Sequence, residues 1–258
     1  MEEAELIGML PLFVLTVVLL TSILSGIVGM AGGMILMALL VALYSVPVAM
    51  ILHGVTQAGA NGSRAWYLRR HIRWRVLLPY LAGSGSCVAL FAAVRIVPDR
   101  GLVLLMIGLM PWLALFVPAR IAFVIERRSV AFSCGLSVTA AQLLAGASGP
   151  LLDLFFQRSP LDRHQIVATK AITQTVGHLT KLLYYGGLLL VAGEPLLREG
   201  EAPLWLFLLV VPMAIVGTRV GTRVLDRLDE TLFRRISSQV ILALGAACLI
   251  AGAIELLL

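Results

Sequence analysis

The sequence predicts an all-α integral membrane protein: about eight transmembrane helical elements in two inverted repeats, each half starting with a glycine-broken hairpin. Three observations carry that prediction. The chain is 60% hydrophobic and 13% charged, against about 25% charged in soluble domains, so it lacks the polar surface that a globule of its size shows to water. Its apolar residues come in runs of about twenty, long enough to cross the hydrocarbon core as helices, rather than in the alternation of an outer-membrane barrel. Its first half also falls onto its second when the sequence is shifted by 117 positions.

The runs lie at 6–28, 47–68, 76–97, 101–125, 164–191, 203–222 and 236–257, with a further broken stretch at 129–156. The start, Met1 to Glu5, is acidic rather than the basic leader of a cleaved signal peptide, so the first helix is expected to persist. The net charge of +6 does not point to nucleic acid, because eighteen of the twenty Lys and Arg residues are Arg, mostly in short loops at helix ends. That placement follows the positive-inside rule. The cluster Arg69, Arg70, His71, Arg73 and Arg75, the pair Arg127-Arg128, and the Arg219–Arg235 region should therefore face the cytoplasm. The acidic N-terminus and Glu194–Glu201 should face outward, and the Arg95–Arg100 loop joins them by alternation. Localisation in the inner (plasma) membrane as a multi-pass protein follows. Cys87, Cys134 and Cys248 are single, far apart and inside apolar runs, which suits small packing residues. There is no P-loop, nucleotide fingerprint or metal-ligand spacing, so neither cofactor nor metal is expected.

Under the shift of 117, Gly29 falls on Gly146, Gly32 on Gly149, Thr56-Gln57 on Thr173-Gln174, Arg64 on Lys181 and Tyr67 on Tyr184. Glycines alone would match cheaply in so apolar a chain; a polar pair, a basic residue and a Tyr in one register do not. Two repeats follow, 1–125 and 126–258. The helix ending at Arg69 must run inward and its partner over 164–191 outward, so the repeats are inverted, as in many secondary transporters. That requires the first element of each half, about 6–45 and 129–157, to return to its starting side. The breaks are Gly29-Met30-Ala31-Gly32-Gly33 and Gly146-Ala147-Ser148-Gly149-Pro150.

Within each half one helix carries a polar stripe. His53, Thr56, Gln57, Asn61 and Arg64 are spaced to share one face, and Lys170, Thr173, Gln174, His178 and Lys181 repeat the spacing. Both lysines of the chain lie on the second stripe. Lys or Arg at the centre of a membrane helix costs at least about 2.5–3.5 kcal/mol, so a partner or a watery cavity must compensate. Asp153 is the one carboxylate inside a nearby apolar run, which leaves fixed charge mainly positive and makes a bound anion the simplest counter-charge. Helices restarting after the breaks would add N–H groups and the positive ends of their dipoles.

The candidate anion site is therefore Gly29, Gly32, Gly33, His53, Thr56, Gln57, Asn61, Gly146, Ser148, Gly149, Lys170, Thr173, Gln174 and His178, with Asp153 as a candidate proton carrier. Simpler roles stand beside these. Glycine breaks can be close-packing surfaces, and Thr-Gln pairs can bond between helices. Arg64 and Lys181, late in their stripes, can snorkel to the interface. Asp153 can pair with Arg158 or Lys170, and His71 and His164 fit solvated loops.

Ser25–Gly33, Pro47 and His53–Tyr67, followed by Gly146–Pro150 and Ala168–Tyr185, resemble the two halves of the sulfite exporter family (TauE/SafE). The resemblance covers most of the chain. It implies an all-helical permease, not an enzyme, that moves small sulfur-containing anions such as sulfite or organosulfonates outward on the proton gradient. The chain departs from the family pattern in its sparser first glycine run and in His53, where a small residue is usual; both bear on the substrate. The implied partners are a small anion and the lipid bilayer, with no nucleic acid; a homodimer is compatible. One competing reading is a rhomboid-like intramembrane serine protease, with Ser148 in a GxSG sequence and His178 as base. It is disfavoured because the repeat already explains the glycines and Ala31 stands at the position equivalent to Ser148. Another is a non-transporting membrane subunit, disfavoured by the intramembrane Lys and His.

Overall fold

The structure, a computed structural model, describes residues 2–28, 31–116, 123–157, 159–193, 202–225 and 230–257. Every regular element among them is helical. In order they are α1 (Glu2–Val28), α2 (Ala31–Leu43), α3 (Val46–Tyr67), a single 3₁₀ turn (Arg69–His71), α4 (Trp74–Val94), α5 (Arg100–Phe116), α6 (Arg128–Ala145), α7 (Gly149–Phe156), α8 (Arg163–Val191), α9 (Leu204–Leu225) and α10 (Glu230–Leu257). Among the described residues, four stretches are long and apolar enough to cross a bilayer: Met9–Ile27, Trp74–Val94, Leu204–Val224 and Gln239–Leu257. Helices α3 and α8 have the length but carry the polar stripes, and both bury them.

Local chemistry sets the ends. Pro47 sits in the first turn of α3, where its missing N–H costs nothing. Asp162 and Gln165 form a reciprocal capping box that starts α8. Helix α6 stops at Gly146, whose φ of 68° is one that side chains with a Cβ rarely adopt. Its partner break in the first half spans Gly29, which lies outside the described residues.

The helices pack in pairs, α1 with α9, α4 with α6, α3 with α8 and α5 with α10. Exchanging α1–α5 with α6–α10 turns the first pair into the second and each of the others into itself. Helices α3 and α8 run oppositely, with Gly54 against Leu182 and Gly62 against Thr175. Helices α5 and α10 are also antiparallel and meet reciprocally: Gly101, Leu105 and Gly108 face Gly252, Leu249 and Gly245. Those two triplets share one spacing, but at a shift of 144 rather than 117; longer connections in the second half hide the match from a single-shift comparison.

The parallel pairs are joined backbone to backbone. A Cβ on Gly83 would overlap the carbonyl of Phe132, and one on Gly135 the carbonyl of Tyr80. Close approach at small residues is how membrane helices gain packing energy. Gly83→Val or Gly135→Val should force α4 from α6, at about 1–3 kcal/mol each, and lower the thermal midpoint in detergent. Gly85→Val, with open space around its Cβ, should leave the midpoint unchanged in the same size-exclusion melting assay.

Candidate functional site

A cavity of about 550 Å³ lies between the two halves. It receives Gly33 from the first hairpin, Ser148 and Gly149 from the second, and both polar stripes. Of the residues singled out from sequence, it is lined by Gly33, His53, Gln57, Asn61, Ser148, Gly149, Lys170, Gln174 and His178. Its mouth is marked by the exposed Arg163 and His164, with Arg64 and Leu68 opposite, next to the basic turn at 69–71. His164 is thus solvated, as its loop context suggested, but it also stacks on His71 with ring centroids 5.2 Å apart.

The inner end of the cavity is one hydrogen-bonded network. Lys181, wholly buried, places Nζ 2.9 Å from His53 Nδ1 and donates to the Gly146 carbonyl at 2.9 Å. His53 Nε2 lies 2.9 Å from the Gly33 carbonyl and must donate to it, which makes Nδ1 the acceptor from Lys181. Gln142 Nε2 donates to the same Gly146 carbonyl at 3.1 Å and lies 2.7 Å from His178 Nδ1. Its Oε1 accepts from Ser148 Oγ at 2.7 Å. The amide is therefore oriented by three partners, and His178 Nδ1 is an acceptor. The two His rings lie 5.4 Å apart. The glycine at 146 is needed twice over, for its backbone angle and because a Cβ there would strike Met37.

Several residues on the stripes serve structure rather than the cavity. The Thr56 hydroxyl donates to the Leu52 carbonyl and that of Thr173 to the carbonyls of Thr169 and Lys170. Gly32 packs against Thr21 and Ser25, closing the first hairpin. Asn61 donates to Gln57. Lys170 lines the cavity but its ammonium is bonded to Asp153. The ion pair is thus formed, and the net positive field comes instead from Lys181 and Arg64. Lys181 does not snorkel: it is 0% exposed, because α8 continues ten residues beyond it to Val191. Among the described residues the Arg64 side chain has no hydrogen bond or ion pair.

Sequence reasoning missed Gln142, Ser25 and Thr218, all of which line the cavity. A signal existed for two of them, since Gln142 and Ser25 are equivalent at the shift of 117 and both are polar in apolar helices. Thr218 Oγ1 is buried without a partner. For proteolysis, the Ser148 hydroxyl would have to reach His178. It instead bonds to Gln142, and His178 accepts from that same amide.

Replacing Lys170 by Met should strand the Asp153 carboxylate and lower both yield and melting temperature, because a partly buried charge loses its partner. Adding Asp153→Asn should restore both. A double mutant no better folded than Lys170→Met would show that the pair carries no structural weight.

No curated protein and no solved structure matches the chain significantly. The family model described as "Sulfite exporter TauE/SafE" matches residues 14–248. That is nearly the whole length, including both hairpins, both polar stripes and every helix that builds the cavity; the chain belongs to the TauE/SafE sulfite exporter family of membrane permeases.

Proposed function

We propose that the protein is a secondary transporter, working as an exporter, for a small anion, sulfite or an organosulfonate, bound near the bilayer midplane in the cavity between its halves. Membership of a family of transporters for sulfite-type anions gives the class. The observation that carries the specific reading is the charge of the cavity. Among the described residues its charged lining groups are Arg64, Arg163 and Lys170, Lys181 lies at its inner end, and the nearest carboxylate, Asp153, is engaged by Lys170. An anion supplies the missing counter-charge.

Arg64, His178, Gln57, Gln174 and Asn61 would coordinate the oxyanion from the stripes, and Ser148 from the second break. The first turn of α7 at Gly149 would add N–H groups that have no intrahelical acceptor. A planar guanidinium without a hydrogen-bond or ion-pair partner among the described residues suits the paired oxygens of a sulfonate or sulfite.

The exchange symmetry of the helix pairs, with α3 and α8 antiparallel, supports the inverted-repeat reading of 1–125 and 126–258 in the inner membrane. In that orientation the basic turn at 69–71 is cytoplasmic and the cavity opens inward. Single cysteines at Arg73 and Arg127 should react with impermeant maleimide only from the cytoplasm, and one at Val97 only from outside. Labelling of the Val97 and Arg127 positions from one face would exclude the inversion.

The binding test is a calorimetric titration of purified protein with sulfite, thiosulfate and ethanesulfonate, alongside flux in proteoliposomes. A charge-assisted contact in a partly desolvated site contributes roughly 1.5–3 kcal/mol. Arg64→Gln should therefore weaken the bound anion about ten- to a hundredfold while leaving a monodisperse protein, since no hydrogen bond or ion pair of the Arg64 side chain among the described residues is broken. Unchanged affinity in well-folded Arg64→Gln would move the anion elsewhere.

A further inference from the structure

We propose that His178 is a proton site linked to the anion: it is neutral in the empty cavity and takes up one proton as the anion binds, so that proton and anion occupy the protein together. The proposal rests on the anion reading above and adds a co-ligand to it.

The argument starts from hydrogen-bond roles. Gln142 is held by the Gly146 carbonyl on its NH₂ side and by the Ser148 hydroxyl on its oxygen side. It therefore offers an N–H to His178 Nδ1, which only a ring unprotonated at that nitrogen can accept. His53 is fixed as neutral in the same way, between the Gly33 carbonyl and the Lys181 ammonium. The network thus sets two imidazoles, tilted by 58°, beside the buried Lys181 Nζ, with no carboxylate joined to it among the described residues. Adding a second positive charge to it costs far more when the cavity is empty than when an anion sits in it.

His178 differs from His53 in being able to accept the proton without breaking the link between the halves. Protonation at Nδ1 is met when Gln142 turns its amide over, presenting Oε1 to the new N–H, while the Ser148 hydroxyl rotates from donor to acceptor. The turn gives up the Gln142 bond to the Gly146 carbonyl, which keeps its bond from Lys181. One N–H bond forms, the proton comes from solvent through the cavity, and that one hydrogen bond is the cost.

The other groups that could take up the proton are accounted for element by element. Helix α3 brings His53, whose two nitrogens are engaged, and Arg64, already charged. Helix α8 itself brings Lys181 and Lys170 and, exposed at the mouth, Arg163 and His164, the latter against His71. Helix α7 brings Asp153, bonded to Lys170, and α4 brings Tyr80, which donates to the Thr173 carbonyl at 3.2 Å. Helix α6 faces His178 with Gln142, which does not titrate.

The test is calorimetry with ethanesulfonate and thiosulfate, neither of which titrates near neutral pH, in Tris and in HEPES, whose ionisation heats differ. The expected result is that the apparent binding enthalpy shifts between buffers by about one proton per anion, and that affinity rises up to about tenfold for each unit of falling pH. His178→Asn keeps an acceptor near the Nδ1 position for Gln142. It should bind anion more weakly, since His178 is among the coordinating residues, but with no buffer dependence and a flat pH profile. Gln142→Glu provides a second check: with a carboxylate built in, His178 should be charged beforehand, and proton uptake should again vanish. Binding heats in the wild type that are equal in both buffers would overturn the proton site while leaving the anion site standing, as would undiminished uptake in His178→Asn. No heat with either anion would overturn both.

Discussion

A single buried ammonium holds the centre of this molecule together. Lys181 comes from the second repeat, and its Nζ meets His53 from the first and the carbonyl of Gly146 at the second hairpin break. Among the described residues no carboxylate reaches it, and two acceptors converge on it instead. Each acceptor is itself constrained. The Gly146 carbonyl points inward because the chain there takes a backbone angle that glycine permits, and His53 presents Nδ1 because Gly33 holds its other nitrogen. The two broken hairpins and the two striped helices are thus parts of one constraint. Loosening any of them leaves a charge in a low-dielectric interior with too few partners.

That constraint also explains why α3 and α8 are polar enough to fall outside a simple hydropathy criterion. They pack on each other, flanked by α9 and α4, and the apolar helices α1, α4, α9 and α10 supply most of the surface suited to lipid. Exposed residues such as Leu78, Leu90, Leu208 and Ile254 lie on that outer layer. A membrane protein can carry a polar interior only when it surrounds it with apolar helices, and the arrangement divides those roles cleanly.

Much of this was legible in the sequence because it rests on periodicity. The repeat, the glycine breaks and the polar stripes all follow from spacing along one helix, and nine of the proposed site residues do meet at the cavity. What spacing cannot show is which residue of one stripe faces which residue of the other. Lys170 looked the stronger cation because no opposite charge was near it in sequence, yet α7 carries Asp153 onto it. Lys181 looked peripheral because it ends its stripe, although helix α8 runs well past it. Gln142 was missed because α6 also carries Ser129, Ser133, Ser137 and Thr139, among which one more polar residue does not stand out, and its importance lies in bonding to both the break at Gly146 and Ser148 and to His178 of α8.

The asymmetry between the repeats carries the last step. Equivalent positions hold different chemistry: Lys181 answers to Arg64, His178 to Asn61, and Lys170 to His53. At one end of the cavity Lys181 is bonded and buried; at the other its counterpart beside the mouth, Arg64, has no hydrogen-bond or ion-pair partner among the described residues. A perfectly symmetric pair would have equal reason to close either end. Here the end closed by Lys181 is tied through His53 and Gly146 to both halves, so the side holding Arg64 is the one left open in this state. On the transport reading proposed above, opening the other side would require breaking the Lys181 bonds, and a ligand whose negative charge takes the place of those acceptors would supply the energetic room for that. The positive charge of the site would then be the feature by which an anion biases the protein between two states.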